Sequence, residues 1–185
     1  MLAPSIEPHL PGPEPASGLV LRLGLRFGVG LGMLCALWML GLQLTGNNAF
    51  GPKLILAQLL VPMGAVGSEW VLRRQLKPEK PGLSRSLGVG GLTVLVAALV
   101  SAASLTGLAH GVGGAGLARH RAEVLEIVRA QQRANPQSGL SEQQKQEQMR
   151  NVEQLTVEKM AIGNFTQVLF LGLALALPAG IFLRE

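Results

Sequence analysis

The chain has 185 residues, a formal net charge of +5 and 48% hydrophobic residues, and it contains neither Asp nor Tyr. The missing aspartate excludes Asp-based hydrolase chemistry, and the single cysteine, Cys35, excludes an intramolecular disulfide. Residues 27–52, 86–118 and 160–183 contain no Asp, Glu, Lys or Arg. Uncharged apolar runs of this length are typical of transmembrane helices, so the composition indicates an integral membrane protein.

The N-terminal segment, residues 1–18, is proline-rich, with prolines at positions 4, 8, 11, 13 and 15. Because proline removes a backbone donor and fixes φ, we expect a disordered tail here. Glu7 and Glu14 make this region acidic where a secretory signal peptide would be basic, so a cleavable signal is not expected.

The first predicted span covers residues 19–44 and carries Gly24, Gly28 and Gly32 at a spacing of four. Glycines at this spacing share one helix face and allow close approach of a second helix. This pattern predicts a packing seam, either within the monomer or between copies, although glycine is also tolerated in membrane helices without such a role.

The second predicted span, residues 50–73, contains Pro62 and Gly64, which predict a kink. The loop that follows, residues 74–86, is strongly basic. It contains Arg74, Lys77, Lys80 and Arg85, and Arg73 directly precedes it. The loop between the first two spans carries only Lys53. By the positive-inside rule the basic loop is cytoplasmic, and so is the N-terminus.

The third predicted span, residues 87–110, is rich in small residues, and Ala103, Gly107 and Gly111 form a second candidate packing face. The sequence GVGGAG at 111–116 matches the GxGxxG pattern, but no strand–helix–strand unit surrounds it. We therefore interpret the segment as a flexible hinge rather than a nucleotide site.

Residues 111–162 form the polar part of the chain and predict an extracytoplasmic helical hairpin, broken near Pro136. Ser141 and Gln144 form a capping box at the start of its second helix. Apolar residues at helical spacing are candidates for a partner surface: Val124, Val128, Met149, Val152 and Met160. We expect the two helices to pack on each other or on a partner, because short helices are marginal alone.

A fourth span is predicted at 163–183, and an even number of spans places the C-terminus in the cytoplasm with the N-terminus. The predicted fold is an all-α membrane protein of four transmembrane helices, with the hairpin between spans three and four. The triplet Asn164-Phe165-Thr166 matches a glycosylation site, but it lies at the membrane edge and is discounted.

The search for chemistry finds no catalytic, cofactor-binding or metal-ligating set. Glu69 is the one acidic residue inside a predicted span, and an ion pair with Arg73 one turn on is favoured over a role in ion coupling. His110 and His120 lack the spacing and neighbours of a metal site. Polar residues within the spans are expected to form hydrogen bonds between helices, namely Gln58, Thr93, Ser101, Ser104 and Gln167.

The layout resembles a family of small four-span bacterial membrane proteins, domain of unknown function 4199, from about Val20 to the C-terminus. The resemblance rests on the glycine-rich first span, the basic second loop and residues 134–144, ANPQSGLSEQQ, which lead through Val157 into the last span. It implies a location in the inner membrane and supplies no activity, cofactor or catalytic residue.

We therefore expect a non-enzymatic accessory or scaffold subunit of the inner membrane that works through the hairpin. The alternative is a small transporter or channel built by self-association along Gly24, Gly28 and Gly32. The expected partners are the lipid bilayer and either a second copy of this chain or an unidentified membrane or periplasmic protein. A nucleic acid is not expected, since the basic residues lie at the ends of apolar runs.

Overall fold

A computed structural model describes residues 16–134 and 141–183, which are almost entirely helical and contain no strand. Seven α-helices follow in order: α1 (Ala16–Leu44), α2 (Ile55–Gln58), α3 (Leu60–Gln75), α4 (Gly82–Val112), α5 (Gly114–Ala134), α6 (Glu142–Glu153) and α7 (Val157–Leu183). A short 3-10 turn, Pro52–Leu54, precedes α2. Most of the predicted tail and the predicted break near Pro136 lie outside the described residues. Helix α1 includes residues 16–18, which the sequence assigned to that tail.

Four helical segments are long and apolar enough to cross a membrane: Ser17–Leu44, Pro52–Gln75, Gly82–Val112 and Val157–Leu183. Each exceeds the roughly 20 residues that a bilayer core requires. The prediction of an all-α protein with four membrane spans is confirmed, and the chain is a multi-pass membrane protein. Helix α4 lies centrally and contacts α1, α3 and α7.

The second span is broken near its start rather than at its centre. Helix α2 ends at Gln58, and α3 begins at Leu60. Pro62 explains the break, because it has no N–H to donate to the carbonyl of Gln58 and its ring crowds that carbonyl. Gln58 therefore lies at an irregular point of the membrane domain, with its side chain buried among the helices.

The seam predicted on α1 lies inside the monomer. A Cβ atom on Gly24, Gly28 or Gly32 would lie 2.5–2.6 Å from a side-chain atom of Leu92, Val96 or Val100 respectively. These partners are spaced by four residues on α4, so two complementary ridges meet along the seam. Of the two predicted uses of these glycines, packing within the monomer is therefore the one that the structure shows, with α4 covering them.

Within the hinge predicted at 111–116, only Gly113 is non-helical. Helix α4 ends at Val112 and α5 begins at Gly114, and Gly113 between them has a φ of +73°. With a ψ of −169°, this backbone conformation is open to glycine without steric cost, and it interrupts the helix between α4 and α5. The polar segment thus leaves the membrane domain through a tight turn rather than a flexible linker.

The second hairpin helix is shorter than predicted. The capping box at Ser141 and Gln144 is present, but α6 ends at Glu153 and α7 begins at Val157. Met160 consequently belongs to the fourth span, where it is buried with Leu105 and Ala109 of α4. Its assignment to a partner surface is wrong, because the helical spacing that linked it to Met149 is interrupted by three non-helical residues, 154–156.

Candidate functional site

The connection between α1 and α2 folds onto the first half of α5 through Asn48. The Oδ1 atom of Asn48 accepts a hydrogen bond from the backbone N–H of Phe50 at 2.9 Å, which fixes the turn. Its Nδ2 atom donates to Glu123 Oε2 at 2.6 Å and lies 3.1 Å from His120 Nδ1. These residues, Asn48, Phe50, His120 and Glu123, are called the Asn48 cluster below.

His120 is buried in this cluster, with 8% of its surface exposed. Its ring meets that of Phe50 edge-on, with centroids 6.1 Å apart. Burial lowers the pKa of His120, and the charge of Glu123 offsets this only in part. The neutral ring accepts from Asn48 through Nδ1, so protonation there would remove a hydrogen bond as well as bury a charge.

Two arginines fasten α5 on either side of the Asn48 cluster. Arg119 Nη2 donates to the carbonyl oxygen of Gly46 at 2.8 Å, and its Nε lies 3.7 Å from Glu123 Oε1. Arg121 donates through Nε and Nη2 to the carbonyl oxygen of Leu155, with Nε at 2.9 Å. The helix is thus tied both to the α1–α2 connection and to the connection between α6 and α7.

A cavity of about 570 Å³ lies beneath α5, between the start of the second span and the start of α7. Its walls are mostly apolar, including Leu105, Val124 and Ile127. Three amide side chains from the membrane domain also line it: Gln58 and Asn164, which are buried, and Gln167, which is exposed. We call this space the α5 cavity.

The two buried amides, Gln58 and Asn164, belong to a chain of hydrogen bonds that joins three helices. Gln58 Nε2 donates to Asn164 Oδ1 at 2.7 Å, and Asn164 Nδ2 donates to Ser101 Oγ at 3.0 Å. The Oε1 atom of Gln58 is buried and accepts no hydrogen bond. A buried acceptor without a donor is unfavourable, so Gln58 can bind a donor group that enters the cavity.

Glu69 forms a second polar point inside the membrane domain. It is fully buried, and neither carboxylate oxygen has a hydrogen-bond partner. Gly90 of α4 and Gly180 of α7 make room for it, since a Cβ atom at these positions would lie 2.0 and 3.5 Å from Oε1. The ion pair expected with Arg73 is not formed, because the carboxyl group points between α4 and α7.

The remaining predicted residues fall in three different environments. Ala103, Gly107 and Gly111 lie on an exposed face of α4, and no atom of a neighbouring element approaches either glycine. Val124 lines the α5 cavity, and Val128, Met149 and Val152 are half-buried. His110 binds the carbonyl oxygen of Thr106 on its own helix and does not join the Asn48 cluster.

Of the five residues expected to form hydrogen bonds between helices, Gln58, Thr93 and Ser101 do so. Ser104 instead donates to the carbonyl oxygen of Val100 on its own helix, and Gln167 forms no interhelical bond within the described residues.

Sequence reasoning missed the role of Asn48, which reads as an ordinary turn residue, and of Asn164, which reads as part of a triplet at the membrane edge. The one available signal for Asn164 is a strongly polar amide next to an apolar run.

Comparison with known proteins gives one match. A family model described as protein of unknown function (DUF4199) matches residues 26–185, which is most of the chain. No curated protein and no solved structure matches.

Proposed function

The chain belongs to the DUF4199 family, whose function is unknown, and we propose that it is a non-enzymatic accessory subunit of a membrane assembly. In this proposal the four spans anchor the protein, and the α5–α6 hairpin carries the partner-binding surface. The partner is a membrane or periplasmic protein with a polar segment at the membrane surface.

The observation that carries the proposal is the way the hairpin is held. Helix α5 is fixed by the Asn48 cluster and by Arg119 and Arg121, whereas α6 buries none of its residues. The Nε2 atom of Gln132 on α5 donates to Gln148 Oε1 at 3.3 Å and to the carbonyl oxygen of Lys145 at 3.4 Å. These bonds hold α6 against the side of α5. An ordered helix with a free outer face is suited to protein binding, because little ordering entropy is lost on association.

The chemistry of the free face defines the kind of partner. Helix α6 exposes acidic and amide side chains and one arginine: Glu142, Gln143, Gln146, Glu147 and Arg150. Its apolar residues Met149 and Val152 are half-buried. This face favours a polar, hydrogen-bonding partner over an apolar helix.

The orientation belongs to the same proposal. The connection between α3 and α4 carries Lys77 and Lys80, with Arg73, Arg74 and Arg85 at the adjoining helix ends. By the positive-inside rule this end of the bundle faces the cytoplasm of a bacterial inner membrane. Both termini then lie in the cytoplasm, and the hairpin lies on the opposite side.

Site-specific photocrosslinking in native membranes tests the partner surface. A photoreactive amino acid at Gln146 or Arg150, both exposed on α6, is expected to give one protein adduct of constant mass. The matched control is Leu37, which is 60% exposed on α1 and faces lipid. Adducts that are identical at α6 and at Leu37, or the lack of a protein adduct at both α6 positions, would contradict the proposal.

A second candidate function, ion-coupled transport, is favoured by Glu69. Buried charges in proteins are normally paired, and ionisable groups inside membranes often lie on ion pathways. Glu69 has no such partner, and neither Arg73, one turn later on α3, nor Arg85 on α4 forms an ion pair with it. The described part of the fourth span beyond Lys159 carries no charged residue.

Proton flux into liposomes that contain only this protein tests the second candidate. Transport predicts flux that Glu69→Gln abolishes, since the amide keeps the shape but cannot exchange a proton. The control variant Glu126→Gln changes an exposed residue of α5 and is expected to leave flux unchanged. Absence of flux from correctly folded wild-type protein would contradict transport and leave the accessory role.

A further inference from the structure

We propose that the α5 cavity binds a lipid with a small uncharged head that carries a hydrogen-bond donor, either a hydroxyl group or an amide N–H. The head lies against Gln58, and the apolar chain leaves the cavity between α2 and α7 into the bilayer. This inference concerns a ligand site and does not depend on the identity of a protein partner.

The size and lining of the cavity are those of a small-molecule site. Its volume of about 570 Å³ falls within the usual range for ligand pockets, which are mostly apolar with a few placed polar groups. Leu105 of α4 and Val124 and Ile127 of α5 supply apolar surface. A head group alone would leave these walls uncovered, which favours a molecule with an apolar chain.

The polar atoms of the cavity define the head group. Gln58 is 1% exposed, and its Oε1 atom accepts no hydrogen bond, while its Nε2 atom is committed to Asn164. Asn164 is in turn committed through both of its side-chain polar atoms. Gln167 also lines the cavity, but it is exposed. Among the lining residues, the buried polar atom without a partner is Gln58 Oε1, which is an acceptor, so the complementary ligand group is a donor.

The charges around the cavity argue against an ionised head. The ionisable lining residues are His120, which is neutral in the Asn48 cluster, and Lys159, which is exposed and donates to the carbonyl oxygen of Gln154 at 3.3 Å. Lys159 is exposed, whereas Gln58 is 1% exposed and is hydrogen-bonded to the neutral amide of Asn164. An ionised head against Gln58 would be buried against neutral groups, which is strongly unfavourable.

The route of access follows from the exposed lining residues. Ile55 is 40% exposed, and Gly163 and Gln167 of α7 are exposed on the opposite rim. These residues belong to the spans Pro52–Gln75 and Val157–Leu183, so the opening lies where the bundle meets lipid. Helix α5 covers the cavity from the other side. A molecule dissolved in the bilayer thus reaches Gln58 laterally.

The test is photolabelling of the full-length protein in lipid nanodiscs with a long-chain alcohol that carries a diazirine in its chain. Labelled peptides are expected to include the cavity-lining parts of α5 or α7. Competition by 1-dodecanol is expected to be at least about fivefold stronger than competition by dodecyl methyl ether, which has an acceptor but no donor. Equal competition by the ether would overturn the assignment of the head group.

Two variants locate the site. Gly163→Leu adds a branched side chain at the opening, where no atom lies within 4 Å of a Cβ atom, and it is expected to reduce labelling at least about fivefold. Gly107→Leu makes the same change on an exposed face of α4 away from the cavity and serves as the control. Unchanged labelling in folded Gly163→Leu protein, or an equal loss in both variants, would overturn the proposal.

Gln58→Met tests the donor preference directly, because methionine is similar in size but cannot accept a strong hydrogen bond. The expected result is that the alcohol and the ether compete equally in this variant. A preference for the alcohol that persists in folded Gln58→Met protein would contradict the role of Gln58. If this variant does not fold, the comparison of alcohol and ether on the wild type still decides the question.

Discussion

At the scale of single residues, Asn164 joins three helices through one amide group. Its oxygen accepts from Gln58 of α2 and its nitrogen donates to Ser101 of α4, while its own backbone lies in α7. Hydrogen bonds between membrane helices contribute about 0.6 kcal/mol each on average, and up to about 1.7. Their main effect here is to fix the position of α7 along its axis relative to α2 and α4.

His120 makes the stability of the protein depend on pH. Burial lowers the pKa of His120 in the folded state below its unfolded value of about 6.5. Between these two values the unfolded state binds more protons, so stability is fully present above about pH 6.5 and falls as the pH is lowered. We expect the free energy of unfolding to decrease by up to about 1.4 kcal/mol per pH unit in that window.

Thermal unfolding in nanodiscs between about pH 7.5 and 5.5 measures this dependence, in a range where most carboxylates do not titrate. His120→Gln is expected to flatten the curve, since the amide carries no titrating proton. His110→Gln is the control, because His110 is exposed. An equal slope in the wild type and in His120→Gln would show that another group causes the dependence.

Residues of the membrane interior were predictable from the sequence only where an apolar run surrounds them. Gln58 and Ser101 stand out in this way. Asn164 does not, because the uncharged apolar pattern suggested a span that begins at Gly163, whereas α7 begins at Val157. The extra residues place Asn164 about two turns inside the helix. Glu69 was identified, but its partner was wrong, because sequence spacing cannot give the direction of a side chain between three helices.

At the scale of helices, the seam between α1 and α4 predicts sharply different effects at neighbouring glycines. A Cβ atom on Gly28 would lie 2.8 Å from the backbone oxygen of Thr93, which cannot move without the helix. Gly28→Ala is expected to reduce the free energy of unfolding by about 1–3 kcal/mol, as overpacking usually does. Gly30→Ala is the matched control, since no atom lies within 4 Å of a Cβ atom at that position.

Unfolding by a denaturing detergent, monitored by circular dichroism, measures both variants against the wild type. Gly30→Ala is expected to change the free energy of unfolding by no more than about 0.5 kcal/mol. A loss at Gly30 equal to that at Gly28 would mean that helix α1 is packed differently from the structure described above.

The helices themselves follow closely from sequence, but their ends do not. Long uncharged runs made the four spans predictable, because few other structures tolerate such runs. The shortening of α6 and the early start of α7 were not predictable, since Met149, Val152 and Met160 keep helical spacing across the interruption at 154–156. The tight turn at Gly113 was read as a hinge because several glycines surround it.

At the scale of the whole molecule, the arrangement predicts which connections share a side of the membrane. Four spans place the connection at Lys80 on the side opposite to α6. With Cys35 replaced by Ala, Gln146→Cys is expected to react with an impermeant maleimide applied to intact cells. Lys80→Cys is expected to react only after permeabilisation, since the basic loop is proposed to be cytoplasmic.

Both positions are exposed, so a lack of reaction would not result from burial. The reverse pattern would place the hairpin in the cytoplasm and contradict the proposed orientation. Reaction of both positions from outside would contradict the span count between them.

The central claim is that the membrane domain holds the α5–α6 hairpin as a surface for another protein. Native mass spectrometry of the protein, extracted gently from its own membrane, tests this claim most directly. The account predicts a complex with a different polypeptide at fixed stoichiometry. A monomer or a homo-oligomer as the sole species would contradict it, and would turn attention to Glu69 and to transport.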